Sequence, residues 1–149
     1  MSLRFAIIST AIVMLFGAAS GEALATEHVV KMLNDNGNGQ FMVFEPDYIQ
    51  TEPGDTVKFV AVDKFHNAET LPEIWPEGAA PFRGELSKDV VLKVEKEGVY
   101  SIKCLPHYPL GMMALVVVGD PVNAAQVSAF KPPVPAKKRF EAIAGKLPK

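Results

Sequence analysis

Short apolar runs separated by turn residues fill the chain from Glu27 to Val118, and this pattern constrains the fold more than any other feature. The runs recur about every 8–12 residues, a spacing typical of an all-β sandwich or barrel. Pro53-Gly54, between two of them, suits the centre of a type II turn. The sequence therefore predicts one all-β domain, with clear strands in HVVKML (28–33), TVKFVAV (56–62) and MALVVV (113–118).

Two stretches of this predicted domain need separate interpretation. The runs DVVLKV and VYSIKC flank EKEG at residues 95–98, a combination that predicts a β-hairpin. Residues 69–83 contain Trp75 among several prolines and show no sustained period. We expect this segment to be a long connection with one helical turn, in which Trp75 is a packing residue.

The pattern changes after Gly119, where the alternation of strands ends. VNAAQVSAF is rich in alanine, with Asn123 in a position to act as N-cap, and KPPVP ends this segment. The basic run Lys137–Arg139 is expected on a solvated helix face. The sequence predicts a two-helix extension over residues 122–149, packed against the β-domain. Its second helix is amphipathic, with apolar residues at i, i+3, i+4 and i+7: Phe140, Ile143, Ala144 and Leu147.

The first 25 residues resemble an export signal. Arg4 precedes the uncharged run Phe5–Ala19, which is shorter than the roughly 20 residues of a membrane span. Ala23-Leu24-Ala25 then provides a small-x-small cleavage site, although an uncleaved anchor is the alternative. We expect a signal peptide at 1–25, a single periplasmic domain at 26–149 and no membrane segment after cleavage. The net charge of −2 lacks the basic excess of a nucleic-acid-binding protein, and nothing indicates oligomerisation, so a monomer is expected.

The only cysteine of the chain lies in KCLPHYPLGMM, residues 103–113. Alternation along VYSIKC directs Cys104 inward at the end of a strand. The loop that follows holds His107 between two prolines, and Met112 or Met113 opens the next strand. A single thiol in an oxidising compartment needs protection or a function, which favours a metal ligand over a free cysteine. The alternative is that Cys104 is a small buried apolar residue and the methionines fill the core.

A fourth ligand has to come from one of the two other histidines. His66 follows the strand at 56–62 in a loop that can reach the same end of the sandwich, whereas His28 begins the first strand and is expected to be a surface or packing residue. Two imidazoles, a thiolate and a thioether prefer copper and form the blue-copper electron-transfer set. The sequence thus predicts a metal site of His66, Cys104, His107 and one methionine.

Around these residues the chain resembles the cupredoxins, in C-x2-H-x4-M and the upstream pair His66-Asn67. Further stretches resemble the pseudoazurin branch: MVFEPDYI, PGDTVKFVAVDKFHN, CLPHYPLGMMALVVVGD and the helical tail. The resemblance implies an eight-stranded Greek-key sandwich and one type 1 copper ion. It also selects Met112 over Met113, so that the implied ligands are His66, Cys104, His107 and Met112.

The resemblance implies further roles around the site. The backbone N–H of Asn67 would hydrogen-bond the cysteine sulfur, while its side chain would join the two ligand loops. Pro106, Leu110 and Met42 would form an apolar collar around His107, where a partner docks and the electron leaves. Basic residues would steer an acidic partner to this collar, and the candidates are Lys64, Arg83, Lys88 and Lys103.

Three functions of different classes can be weighed on these grounds. The resemblance implies a periplasmic shuttle that carries single electrons on copper, from a c-type cytochrome to a copper nitrite reductase or a cytochrome cd1 in denitrification. A copper carrier or storage module is the alternative, although such proteins use more exposed sites. A copper enzyme would need a second centre with several more histidines, and the chain has three in total. We therefore expect an electron carrier that is not an enzyme.

Overall fold

The computed structural model describes residues 24–148, in which eight β-strands precede two short α-helices. The predicted signal segment, residues 1–25, lies outside the described residues except for its last two. The helices are α1 (Ala124–Ala129) and α2 (Lys137–Ala144). The strands are β1 (Glu27–Asp35), β2 (Phe41–Glu45), β3 (Tyr48–Thr51), β4 (Thr56–Ala61), β5 (Glu69–Thr70), β6 (Val90–Lys93), β7 (Gly98–Lys103) and β8 (Met113–Val118).

The strands form two four-stranded sheets, in the orders β2-β1-β4-β6 and β3-β8-β7-β5. The pairs β1–β4, at the centre of the first sheet, and β3–β8, at one edge of the second, are parallel, and all other neighbours are antiparallel. The prediction of an all-β sandwich of eight strands with a two-helix extension is confirmed. Neither helix of the described segment is long and apolar enough to span a bilayer.

The predicted hairpin around residues 95–98 is wrong. Strand β6 pairs with β4 in the first sheet, whereas β7 pairs with β8 and β5 in the second. The connection crosses between the sheets and is held by Tyr100, whose hydroxyl donates to the carbonyl of Lys96 (2.8 Å) and accepts from its N–H (3.2 Å). The first five residues of β7 are buried, as expected of an inner strand of a sandwich rather than one arm of an isolated hairpin.

The long connection at 69–83 differs from its prediction in two details. It begins with the short strand β5, and Glu69 forms a bridge with Arg83. Tight turns replace the expected helical turn, which is not formed anywhere in 71–83. Trp75 is buried, and its indole N–H donates to the carbonyl of Ala79 (3.2 Å), so its packing role is as expected.

Two apolar clusters flank the second sheet, which explains why all six residues of β8 are buried. One lies between the sheets and includes Phe59, Ile102, Cys104 and Met112. The other lies between the outer face of the second sheet and the helical tail, where Phe140 and Ile143 of α2 contact it. The predicted amphipathic helix therefore packs as expected.

Two polar residues of the tail, Asn123 and Arg139, make hydrogen bonds to the β-domain that were not predicted from the sequence. Asn123 precedes α1 at the N-cap position, but its side chain instead accepts from the N–H of Val99 (2.6 Å) and donates to the Val99 carbonyl (3.0 Å). Lys137 and Lys138 are exposed, as predicted. Arg139 is not on the solvated face, since its guanidinium donates to three backbone carbonyls of the β-domain.

Candidate metal centre

Three potential ligand atoms lie in a small triangle at one end of the sandwich. The Sγ of Cys104 is 3.7 Å from the Nδ1 of His66 and 3.6 Å from the Nδ1 of His107, and the two nitrogens are 3.1 Å apart. An ion at the centre of this triangle would be roughly 2 Å from each atom, close to the length of metal–imidazole and metal–thiolate bonds. The geometry therefore fits a transition-metal ion with a trigonal set of two nitrogens and one sulfur.

The loop between β7 and β8 places two of these residues. The N–H of His107 donates to the carbonyl of Cys104 (3.2 Å), so the chain turns tightly between them. A 3-10 turn follows at Tyr108–Leu110, and Gly111 leaves it in a left-handed conformation with φ of 91°. The carbonyl of Met112 then accepts from the N–H of Cys104 (3.1 Å). The two ends of the loop are thus joined directly beneath the site.

His66 reaches the same point from the loop after β4. It is fully buried, and its Nε2 donates to the Oδ1 of Asn34 on β1 (2.9 Å), which leaves Nδ1 free to bind a metal. Burial lowers the pKa of His66, and the neighbouring His107 lowers it further. The neutral imidazole is the form that ligates a metal, and a hydrogen bond on the remote nitrogen is the usual device that fixes its tautomer.

Cys104 is also fully buried. Burial raises the pKa of its thiol, and hydrogen bonds from the backbone N–H groups of Asn67 and His107 oppose this in part. A thiol ligates a metal as the thiolate, so binding has to release its proton. The backbone donors reduce the cost of that ionisation because they stabilise negative charge on sulfur.

The structure distinguishes between Met112 and Met113, either of which could be the ligand on the residue pattern alone. Met112 packs in the cluster between the sheets together with Cys104, whereas Met113 packs on the opposite face of the sheet against the helical tail. Both side chains are buried. Of the two, only Met112 lies on the same face of the second sheet as Cys104, and the resemblance also favours Met112.

The third histidine lies in a separate hydrogen-bonded cluster. The Nε2 of His28 is 2.8 Å from the Oγ1 of Thr51 and 3.4 Å from the Oδ2 of Asp55. A hydrogen bond from Thr51 holds the pKa of the Asp55 carboxyl far below its usual range, and backbone N–H groups of Thr26 and Glu52 contribute as well. His28 is a packing residue here and takes no part in the triangle.

His107 is partly exposed, and apolar residues flank it in the ligand loop. Pro106 and Leu110 are exposed, and Met42 is half-buried against the inter-sheet cluster. A cavity of about 590 Å³ adjoins them and is lined in part by Leu86 and Leu105. Neither Leu105 nor Leu86 was predicted from the sequence as part of this surface. The position of Leu105 in the ligand loop could have suggested it, whereas no local signal exists for Leu86.

Three of the four predicted steering cations are paired with carboxylates. Glu69 lies 3.2 Å from the Nε of Arg83 and 3.7 Å from the Nζ of Lys103. Lys88 lies 2.8 Å from Glu85. Of these four candidates, only Lys64 is exposed and forms no ion pair with a residue in 24–148. The rim of this surface therefore carries less unbalanced positive charge than its lysines and arginine suggest.

Comparisons with known proteins agree with this geometry. The family model described as "Copper binding proteins, plastocyanin/azurin family" matches residues 30–119. Pseudoazurin of Paracoccus pantotrophus is 41% identical over 126 residues, which cover 84% of this chain and 86% of that protein. Pseudoazurin of Methylorubrum extorquens is 46% identical over 115 residues, or 77% of each chain. The crystal structure of native pseudoazurin from Hyphomicrobium denitrificans superposes with a TM-score of 0.80 at 50% identity, covering 83% of this chain and 99% of that one.

Proposed function

The chain belongs to the plastocyanin/azurin family of copper-binding proteins, and to the pseudoazurins within it, and we propose that it carries single electrons between redox proteins of the periplasm. Membership of this family makes it a blue-copper electron-transfer protein with one type 1 copper ion, and not an enzyme. The proposal extends to its ligands, which are His66, Cys104, His107 and Met112.

The observation that carries the ligand assignment is the triangle of two Nδ1 atoms and one Sγ, with edges from 3.1 to 3.7 Å. When bound, copper supplies a one-electron Cu(I)/Cu(II) couple. His66, Cys104 and His107 would hold the ion through two imidazole nitrogens and one thiolate, and Met112 would add the weakly bound thioether sulfur typical of such donor sets. No carboxylate belongs to this cluster within the described residues, so its donors are nitrogen and sulfur, which suit copper better than a hard cation.

The framework around these side chains keeps them in place when an electron arrives. The loop that carries His66 and the loop that carries Cys104 are joined by Asn67, whose Oδ1 accepts from the N–H of Leu105 (2.7 Å). Asn34 fixes the ring of His66 from the first sheet. Ligands anchored to both sheets move little between oxidation states, and a small reorganisation permits fast transfer.

His107 is the exit for the electron in this proposal, because it alone among the three reaches the surface. Its neighbours Pro106, Leu105 and Leu110 present an apolar surface that a partner can cover while water is expelled. We call these residues, with Met42 and Leu86, the docking collar. Contact across the collar brings a second redox centre close to the imidazole edge.

The partners that we propose are a copper nitrite reductase or a cytochrome cd1 as acceptor and a c-type cytochrome as donor. The paired state of Arg83, Lys88 and Lys103 supports an encounter in which apolar contact dominates and electrostatic steering is weak. Lys64 is the remaining cation that can steer an acidic partner. The export pattern at residues 1–25 supports a periplasmic location, and we propose that the mature protein is a monomer.

A visible spectrum tests the central proposal. Metal-free protein titrated with Cu(II) should turn blue at one equivalent, and the colour should bleach on reduction and return on oxidation. Cys104→Ser should abolish the colour, whereas His28→Ala, which removes a histidine outside the triangle, should keep it. A wild-type protein that stays colourless and loses copper readily would contradict the electron-transfer site and favour a copper carrier.

The partner proposal needs a separate measurement. Reduced protein mixed with purified copper nitrite reductase in a stopped-flow instrument should lose an electron at a rate that saturates with reductase concentration. Leu105→Asp, which places a charge in the docking collar, should slow the reaction, whereas Val122→Asp, an exposed position at the base of the helical tail, should not. Equal rates for both variants would place the contact elsewhere.

A further inference from the structure

The guanidinium of Arg139 joins the helical tail to two separate parts of the β-domain. Its Nη1 donates to the carbonyls of Met42 (2.8 Å) and Gly111 (3.0 Å), and its Nη2 donates to the carbonyl of Phe41 (2.9 Å). Phe41 and Met42 open β2 in the first sheet, and Gly111 lies in the ligand loop of the second. One planar side chain thus connects α2, β2 and the loop that carries three proposed ligands.

Two of the three acceptors belong to residues with unusual backbone conformations. Met42 has φ of 51° and Gly111 has φ of 91°. A non-glycine residue with positive φ is uncommon and persists only where its surroundings hold it. Met42 is such a residue, whereas glycine adopts positive φ without steric cost. The shared Nη1 donor of Arg139 binds the carbonyls of both residues, so it helps to hold Met42 in its uncommon conformation and fixes the position of Gly111.

No carboxylate accounts for the position of this cation. Among residues 24–148, Arg139 forms no ion pair within 4.0 Å. Burial lowers the pKa of Arg139, and the more distant charge of Asp47 opposes this. A guanidinium that is partly removed from water needs acceptors, and the three carbonyls supply them. The planar guanidinium thus directs its N–H donors at backbone carbonyls that the fold holds in place.

The backbone of the tail also presses directly on the ligand loop. A Cβ atom at Gly111 would lie 3.0 Å from the Cα of Ala136, in the 3-10 turn that precedes α2. Ala136 is itself fully buried. The backbone of the tail and Gly111 therefore meet without room for a side chain on Gly111, and the Cδ of Arg139 lies 3.8 Å from the same Cβ position.

We propose that Arg139 is a positioning residue for Met112, acting through the carbonyl of Gly111. Met112 follows Gly111 directly, and its N–H donates to the carbonyl of His107 (3.2 Å). An axial thioether bond is long and weak, so the protein backbone rather than the bond itself sets the distance of the sulfur. A loop held by Arg139 would keep the thioether of Met112 at a fixed distance from a copper ion bound by the triangle. This inference rests on the proposed copper site.

Two variants and a neighbouring control test the inference. Arg139→Met keeps the aliphatic length but removes the charge and all donors, Arg139→Lys restores the charge without the planar fork, and Lys138→Met removes an exposed charge from the same helix. In metal-free protein, the amides of Gly111 and Met112 should exchange hydrogen at least about tenfold faster in Arg139→Met, as expected for loss of charge-assisted bonds. Exchange in β1 and β4 should not change.

The copper-loaded variants provide the second readout. In Arg139→Met the intensity ratio of the two visible charge-transfer bands should change, because that ratio follows the axial interaction. Arg139→Lys should fall between Arg139→Met and the wild type, and Lys138→Met should match the wild type. If Arg139→Met does not fold, the smaller change in Arg139→Lys decides.

Several results would overturn the inference. One is an unchanged band ratio together with unchanged exchange at Gly111 and Met112. Another is faster exchange spread evenly over the chain, which would assign Arg139 a general role in stability. Failure of the copper site itself would be seen in the wild-type spectrum, and the exchange of metal-free protein would still decide whether Arg139 holds the loop.

Discussion

The side-chain Oδ1 of Asn67 accepts a hydrogen bond of 2.7 Å from the backbone N–H of Leu105, across 38 residues of sequence. Asn67 directly follows His66, and Leu105 directly follows Cys104. The side-chain Nδ2 of Asn67 also donates to the Oε2 of Glu69 (3.0 Å). One buried side chain therefore holds together the two loops from which the proposed in-plane ligands come.

Asn67→Ala should destabilise the metal-free protein. The change leaves the N–H of Leu105 without its side-chain acceptor and removes one of the donors to the carboxylate of Glu69, at a cost of about 1–3 kcal/mol. The free energy of unfolding from a denaturant titration measures this. Asn38→Ala is the control, since Asn38 is exposed and its side chain makes no hydrogen bond within the described part of the chain. Equal stability of the two variants would mean that the loops are held by other contacts.

Met112→Gln should keep the blue colour and lower the reduction potential, because a harder axial oxygen favours Cu(II) over Cu(I). Cyclic voltammetry measures the potential. Met113→Gln is a matched control, because Met113 is equally buried but lies against the helical tail on the other face of the sheet. It should reduce stability and leave the potential nearly unchanged. A raised potential in Met112→Gln would contradict its axial role.

Asp55 should make folding stability sensitive to acid. The folded-state pKa of its carboxyl is lowered by the hydrogen bond from Thr51 and by backbone donors. Its stabilising contribution is therefore fully present above the unfolded-state pKa of about 4 and is lost as the pH falls towards the folded-state value. Asp55→Asn should be less stable than the wild type at pH 7, and this difference should shrink below about pH 4.

Denaturation midpoints of the metal-free proteins at pH 7, 4 and 3 would measure the effect at Asp55. Glu77→Gln serves as the control, since Glu77 is exposed and forms no ion pair in residues 24–148. A difference between Asp55→Asn and the wild type that stays constant with pH would show that the Asp55 contribution is steric rather than ionic.

Lys64→Glu should slow association with an acidic redox partner and weaken the dependence of the rate on salt. Lys64 is the exposed, unpaired cation beside the His66 loop, so its charge is not cancelled locally. The double variant Glu85→Gln/Lys88→Gln removes an ion pair of 2.8 Å that is already neutral and should leave the rate unchanged. Stopped-flow rates at several salt concentrations compare them. A greater effect of the double variant would assign steering to that pair instead.

Much of the fold could be predicted because its signals are local. The alternation along residues 99–104 directed Cys104 inward, and the structure buries it completely. The apolar period of Phe140 and Ile143 predicted the buried face of α2. The misplaced hairpin shows the limit of such patterns, since alternation reports which face of a strand is buried and not which strand is its neighbour. Strand β6 pairs with β4, some thirty residues earlier in the chain, and not with β7, which follows it directly.

By itself the sequence determined the chemistry of the site, because the identity of each donor and the short spacing from Cys104 to Met112 are properties of one loop. Only the tertiary structure decided how that loop is oriented. His66 meets it because two sheets pack face to face, and Arg139 reaches carbonyls 28 and 97 residues away because α2 docks beside them. Such contacts depend on where whole elements lie. The free energy that places these elements comes from burial of the two apolar clusters, to which all strands except the two-residue β5 contribute.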